Sequence, residues 1–149
     1  MTVPQKKVRE AVLYALFTDH FFEESDKDGL ISLLMEQLEM SKKNVKDAVA
    51  RASFILEKFP SLDEKLKPHI EGYDFERVSF LEKTILRLAS YEIFFDNSIP
   101  EVVAIAEAVR LCRKFSTPEG AKFINGVLDA MYKHNLHLLP TKECDKVNV

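Results

Sequence analysis

The sequence predicts an all-α fold of about seven helices arranged in two small helical bundles. Apolar residues recur with a helical period along almost the whole chain of 149 residues. The chain has only four glycines, whereas the tight turns between strands usually need this residue. No segment alternates apolar and polar residues as a strand does. A hydrophobic content of 46% is enough to build a core without disulfide bonds.

The N-terminal half, residues 1–72, is predicted to contain four helices. The first begins near Pro4, because proline is tolerated in a first helical turn. The second covers about residues 28–39, and the third follows the N-cap residue Ser41. A short fourth helix is predicted to start with a capping box at Ser61. The apolar stripes of the first three are Val8, Ala11, Val12, Ala15 and Leu16; Leu30, Leu33, Leu34 and Leu38; and Val45, Ala48, Val49, Ala52, Ile55 and Leu56.

The C-terminal half, residues 73–135, is predicted to contain three longer helices. The polar, turn-forming stretch EGYDF separates it from the first half. A capping box formed by Ser79 and Glu82 introduces the helix LEKTILRLASYEIFF. The next helix starts near Pro100, and the last one starts at Thr117-Pro118.

The two halves are predicted to form a single domain over residues 1–135, followed by a flexible tail over residues 136–149, where the helical period fades. No apolar run approaches the ~20 residues of a membrane span, and the N-terminus does not resemble a secretory signal. The cysteines Cys112 and Cys144 have no CxxC neighbour, as is usual in a reducing compartment. We therefore expect a cytoplasmic protein.

The net charge of −3 excludes a protein that coats nucleic acid through bulk positive charge, but it permits a local basic patch. Lys6, Lys7 and Arg9 lie within about one helical turn and can present a compact positive edge to phosphate groups. An ordinary solvated helix start explains the same cluster. The sequence alone leaves both interpretations open.

Motifs for enzymatic or metal chemistry are missing from the sequence. There is no Gly-rich phosphate loop, and no serine or cysteine lies in a recognisable nucleophile setting. An EF-hand spacing that includes Glu24 and Asp26 places Met35 where the loop needs a bidentate acid. His134 and His137 are three residues apart without an acidic or cysteine partner, so surface histidines are expected rather than a zinc site. We predict a non-enzymatic protein without a cofactor or a metal.

The last helix contains an unexpected residue in the stretch KFINGVLDAM. Phe123, Val127 and Met131 recur with the spacing of an amphipathic helix. Gly126 lies in the interior of this helix, where glycine costs roughly 0.5–1 kcal/mol relative to alanine. Asn125 beside it is also a poor helix former, so these two positions need a reason outside helix propensity.

Three motifs in the second half, taken in order, resemble the family of the transcription antitermination factor NusB. They are LEKTILRLASYEI at 81–93, IPEVVAIAEAVRLCRKF at 99–115 and KFINGVLDAM at 122–131. The N-terminal KKVREAVLYALF at 6–17 is similar to the basic start of that family. Residues 18–73 match it only in helical character.

The resemblance implies an all-helical fold of two bundles and a non-enzymatic, RNA-binding transcription antitermination factor. The implied partners are ribosomal protein NusE, single-stranded boxA RNA of ribosomal RNA transcripts, and the RNA polymerase antitermination complex. The implied RNA-binding residues are Lys6, Lys7, Arg9, Lys122, Phe123 and Asn125, and the implied partner-binding residue is Glu82.

Two of the implied roles have a structural alternative. Gly126 belongs to the family signature and would let RNA or a neighbouring backbone approach the helix, but close packing between two helices would explain it equally well. Glu82 would face NusE, or it would only complete the capping box with Ser79.

The sequence also departs from the family pattern. Its basic start contains two lysines where the family is richer in arginine, and lysine cannot make planar bidentate contacts. Ala106 replaces a common asparagine, and Gly120-Ala121 replaces a common Ser-His pair. These changes remove polar groups from the expected RNA side. The alternative function is therefore a NusB-like protein-interaction scaffold with weak or no RNA binding.

Overall fold

The structure is a computed structural model that describes residues 4–19, 27–70 and 74–135. Within these ranges it consists of seven α-helices and two short 3₁₀ helices, without a strand, which confirms the predicted all-α class. None of the helices in these ranges is long and apolar enough to cross a membrane. The α-helices are α1 (Gln5–Asp19), α2 (Lys27–Leu38), α3 (Lys42–Leu56), α4 (Phe59–Leu66), α5 (Phe80–Phe95), α6 (Glu101–Phe115) and α7 (Pro118–His134), and the 3₁₀ helices are Lys67–His69 and Phe75–Arg77.

Three of the α-helices begin with a side-chain cap at positions where the sequence predicted a helix start. The hydroxyl of Ser41 accepts a hydrogen bond from the backbone N–H of Asn44, three residues into α3. In the same way, the hydroxyl of Ser79 accepts from the backbone N–H of Glu82 at the start of α5, and that of Thr117 accepts from Gly120 at the start of α7. Each cap satisfies an N–H group that the helix itself leaves without an acceptor.

The predicted start of the fourth helix is wrong. Ser61 lies inside α4, which begins at Phe59. Pro60 suits the first turn of this helix because its missing N–H group would have no intrahelical acceptor there. The local Ser-x-x-Glu pattern therefore does not mark the helix boundary.

The first compact unit, Met1–Lys58, contains α1, α2 and α3. In this unit α1 packs against α3, and α2 contacts both. Leu33, which the sequence placed on the apolar stripe of α2, is 46% exposed, because Ile31 and Leu34 set the buried face of that helix. The buried side chains are Arg9, Glu10, Ala11, Val12, Leu13, Ala15 and Leu16 of α1, Ile31 and Leu34 of α2, and Val45, Ala48, Ala52 and Ile55 of α3.

The second compact unit begins at Phe59 and is built around α5, which packs against α4, α6 and α7. Polar groups on this buried helix have partners. The hydroxyl of Ser90 donates to the carbonyl of Leu86 at 2.7 Å, and Arg87 makes two hydrogen bonds to the carboxylate of Asp63 on α4, at 2.8 and 2.9 Å. The guanidinium carbon of Arg87 also lies 4.4 Å from the ring centroid of Phe59.

The division between the two units differs from the prediction. The sequence placed it between residues 72 and 73, whereas the first compact unit ends at Lys58 and the second begins at Phe59. Helix α4 belongs to the second unit because Leu62 and Leu66 are fully buried and the helix packs against α5 and α7. The predicted tail, residues 136–149, lies outside the described residues.

Candidate nucleic-acid interface

Helix α7 presents three of its signature residues on its solvent side. Thr117 caps the helix and Pro118 occupies its first turn. Lys122, Asn125 and Gly126 are exposed, and these three residues are called the α7 outer face below. They share one side of the helix because they are spaced three and four residues apart. The buried side consists of Gly120, Ala121, Ile124, Val127, Leu128 and Met131.

Gly126 is surrounded by open space. A Cβ atom built on it would meet no described atom within 4 Å outside its own stretch of helix and its chain neighbours. Close helix–helix packing within the described part of the chain therefore does not account for this glycine. The half-buried ring of Phe123 and the exposed side chains of Lys122 and Asn125 are its neighbours along α7. A phosphate or a base could approach this backbone more closely than it could approach any residue with a side chain.

Gly120 is the tightly packed glycine of α7. A Cβ atom at this position would lie 2.7 Å from Oε1 of Glu82 and 3.1 Å from Sγ of Cys112. The residue that departs from the family pattern thus makes room for a carboxylate of α5. Side chains larger than glycine would have to displace that carboxylate or the thiol.

Glu82 has a well-defined structural role. The Ser79 hydroxyl accepts a hydrogen bond from the Glu82 backbone N–H at 3.2 Å and donates one to Oε2 at 2.7 Å, which confirms the predicted capping interaction. Burial, reinforced by the Glu82 carboxylate, raises the pKa of the Cys112 thiol above its usual value. Cys112 therefore stays protonated and unreactive at neutral pH.

The N-terminal basic residues differ in accessibility. Lys6 is exposed and Lys7 is partly exposed at the start of α1. Arg9, which was predicted as a third phosphate contact, is only 8% exposed. It lies three and four residues before Val12 and Leu13, and this spacing places it on the buried side of α1. The accessible part of the cluster is therefore Lys6 and Lys7.

The predicted site residues are distributed over both compact units. Lys6, Lys7 and Arg9 belong to the first unit, and the α7 outer face, Phe123 and Glu82 belong to the second. Within the second unit the structure brings Glu82 against the first turn of α7, at Gly120. This contact was not predictable from sequence patterns, because Glu82 and Gly120 lie on different helices.

The ring of His134 packs against that of another histidine. Its ring centroid lies 5.2 Å from that of His69 in an edge-to-face arrangement. Burial, together with the charge of His134, lowers the pKa of His69. Across the described ranges, no group of three or more His, Cys, Asp or Glu side chains could hold a metal ion. His137, Glu24 and Asp26, which were considered for metal binding, lie outside those ranges.

Comparison with known proteins decides the family. The sequence matches the NusB family over residues 6–133. The chain belongs to the NusB family. The transcription antitermination protein NusB of Pseudothermotoga lettingae is 33% identical over 131 residues, which cover 87% of this chain and 91% of that protein. The NusB of Chlamydia pneumoniae is 36% identical over 129 residues, which cover 87% of this chain and 80% of that protein.

A solved structure of T. maritima NusB is also similar. It has a TM-score of 0.71 and 32% sequence identity, and the match covers 89% of this chain and 93% of that one. The resemblance inferred from the sequence motifs is thereby confirmed. The NusB family consists of non-enzymatic factors, which agrees with the predicted class.

The two glycines of α7 generate a prediction about stability. Gly126→Ala should raise the free energy of unfolding by about 0.5–1 kcal/mol, because alanine is the better helix former and its methyl group meets open space. Thermal denaturation should then show a melting temperature higher by about 1–4 °C.

Gly120→Ala is the matched control on the same helix. Its methyl group would have to displace the Glu82 carboxylate and press on Cys112, which offsets the gain in helix propensity, so we expect a smaller rise in melting temperature than for Gly126→Ala. An equal gain for both variants would show that packing does not distinguish these positions.

Proposed function

We propose that the protein is an RNA-binding transcription antitermination factor that pairs with ribosomal protein NusE on boxA RNA of ribosomal RNA transcripts. The curated relatives bear the name transcription antitermination protein. The observation that carries the proposal is the α7 outer face, where an exposed Gly126 in open space lies next to Lys122 and Asn125. The fold itself gives this glycine no packing role within the described residues.

The chemistry of the α7 outer face suits a single-stranded RNA. The Lys122 ammonium can bind a phosphate, and the Asn125 amide can both donate to and accept from the edge of an unstacked base. Gly126 lets the backbone of the nucleotide lie directly on the helix. The half-buried Phe123 offers a ring edge beside this path.

Lys6 and Lys7 are proposed to bind phosphates from the first unit. Lysine acts as a point charge and lacks the bidentate geometry of arginine, so these contacts supply affinity without specificity. Arg9 is buried, and its proposed role is to position the start of α1 instead of contacting RNA directly. RNA binding should therefore depend strongly on salt and only weakly on base identity at this end.

RNA titrations over a salt series test the two lysines. Lys6→Ala together with Lys7→Ala should weaken binding of a short boxA RNA and reduce the slope of log affinity against log salt by about 1.4, since each lost contact to a single strand contributes about 0.7. In the same assay Gly126→Ala should also bind RNA more weakly, although its fold is expected to be more stable.

Lys42 and Lys43 provide a matched control, because they are also consecutive, exposed and in the first turn of a helix. Replacing both with alanine should leave binding of the short RNA unchanged. An unchanged slope after loss of Lys6 and Lys7 would place the RNA elsewhere. No RNA binding by the wild type, combined with intact NusE binding, would support the scaffold function instead.

The proposed NusE contact at Glu82 has to be separated from the capping role of the same residue. Glu82→Lys reverses a charge, and like charges facing each other across an interface can cost several kcal/mol of binding. Ser79→Ala is the control, since it removes the cap at a cost of about 1 kcal/mol of stability and keeps the carboxylate. We expect calorimetry to show that Glu82→Lys loses NusE and that Ser79→Ala keeps it.

Melting curves of the two variants complete this test. If Glu82 only caps α5, both variants should melt earlier and both should still bind NusE. That result would remove Glu82 from the proposed partner surface while leaving the RNA contacts unaffected.

A further inference from the structure

A large aromatic side chain on α3 faces solvent. Phe54 is 51% exposed, although the same helix buries Val45, Ala48 and Ile55 on its other side. The helical period assigns Phe54 to the outer side, and no predicted apolar stripe includes it. The first compact unit therefore keeps about half of this phenyl ring accessible at its surface.

Positive charge is concentrated in α3 and the two residues that follow it. Residues 42–58 contain five basic and two acidic side chains, a net charge of +3, whereas the whole chain has a net charge of −3. The remainder of the chain accordingly carries −6. The basic residues are Lys42, Lys43, Lys46, Arg51 and Lys58, and the acidic ones are Asp47 and Glu57.

Two of these cations flank the exposed ring. The Lys58 ammonium lies 5.3 Å from the ring centroid of Phe54. Arg51 is exposed one turn earlier on the same side of the helix. Lys58 follows the C-cap residue Glu57, just beyond the end of α3. The exposed ring of Phe54 thus has a cationic side chain on either side of it along the chain, and both cations are of the kind that can bind a phosphate.

We propose that Arg51, Phe54 and Lys58 form a second contact for single-stranded RNA, in which a base stacks on Phe54 and the two cations bind the adjoining phosphates. Surfaces that bind single strands combine these two elements, and stacking tolerates any base. The inference rests on the proposed function in one respect, namely that the strand is an extension of the RNA held by Lys6, Lys7 and the α7 outer face. It adds a site without base specificity to that function.

A single tryptophan tests the stacking directly, because the chain contains none. The Phe54→Trp variant keeps an aromatic surface, and oligouridylate should quench its fluorescence in a saturable manner that weakens with salt. Polyglutamate carries negative charge without bases and should not quench it. Equal quenching by both polymers would overturn the RNA assignment in favour of an acidic protein partner, and no response to oligouridylate would overturn the site.

Phe95→Trp is the matched control. Phe95 is also exposed, at 43%, but it is followed by Asp96 at the end of α5. Its fluorescence should not respond to oligouridylate. A response of the same size there would show that the quenching is unrelated to the cations of α3.

Two RNA lengths separate this inference from the proposed function. Wild-type protein should bind boxA RNA extended by twelve uridines more tightly than the short boxA RNA. Phe54→Ala should reduce affinity for the extended RNA by about 5- to 150-fold and leave affinity for the short RNA unchanged. If the wild-type protein binds the short RNA but binds the extended RNA no more tightly, the second contact alone would be overturned. Failure of the wild type to bind the short RNA would count against the proposed function, and the oligouridylate titration would still decide the site on α3.

Discussion

The burial of α5 is the constraint on which the second unit depends. Nine residues of α5 are buried. The polar side chains among them need hydrogen-bond partners, because a buried polar group without one is costly. Thr84 and Ser90 donate to carbonyl groups one turn earlier in the helix. Arg87 reaches α4, where the paired hydrogen bonds to Asp63 and the ring of Phe59 hold its guanidinium. These contacts make α4 part of the second unit, although it precedes the turn-forming stretch at which the sequence placed the boundary.

Packing against α5 also divides the residues of α7 into those that the fold needs and those that are exposed and can contact a ligand. The side of α7 that packs on α5 and α6 needs small residues at its start, and Gly120 accommodates the Glu82 carboxylate there. The opposite side is left to solvent, and Gly126 lies on it with no steric demand from the fold. A Cβ atom would press on neighbouring side chains at Gly120 and would meet open space at Gly126. Gly126 is therefore the better candidate for a role in binding.

Sequence patterns predicted those features that depend on neighbours along the chain. The hydroxyls of Ser41 and Ser79 cap their helices as predicted, and α7 starts at Thr117-Pro118 as predicted, because a helix start depends on only a few neighbouring residues. Features that depend on packing between helices were not predictable in this way. The burial of Arg9, the place of α4 in the second unit and the contact between Glu82 and Gly120 all require knowledge of which helices meet. Of the candidate site, the exposure of Lys122, Asn125 and Lys6 follows from helical period, whereas the open space around Gly126 does not.

The most direct test of an RNA surface on α7 is an amide correlation NMR spectrum recorded during titration with boxA RNA. The chain has four glycines, so the glycine region of the spectrum is sparse, and the signal of Gly126 can be identified from its absence in Gly126→Ala. Gly29, in α2 and also in open space, provides an internal reference. We expect the Gly126 signal to shift as RNA is added while the Gly29 signal stays in place. RNA binding that moves other signals and leaves Gly126 unmoved would contradict the assignment of α7 as the RNA surface.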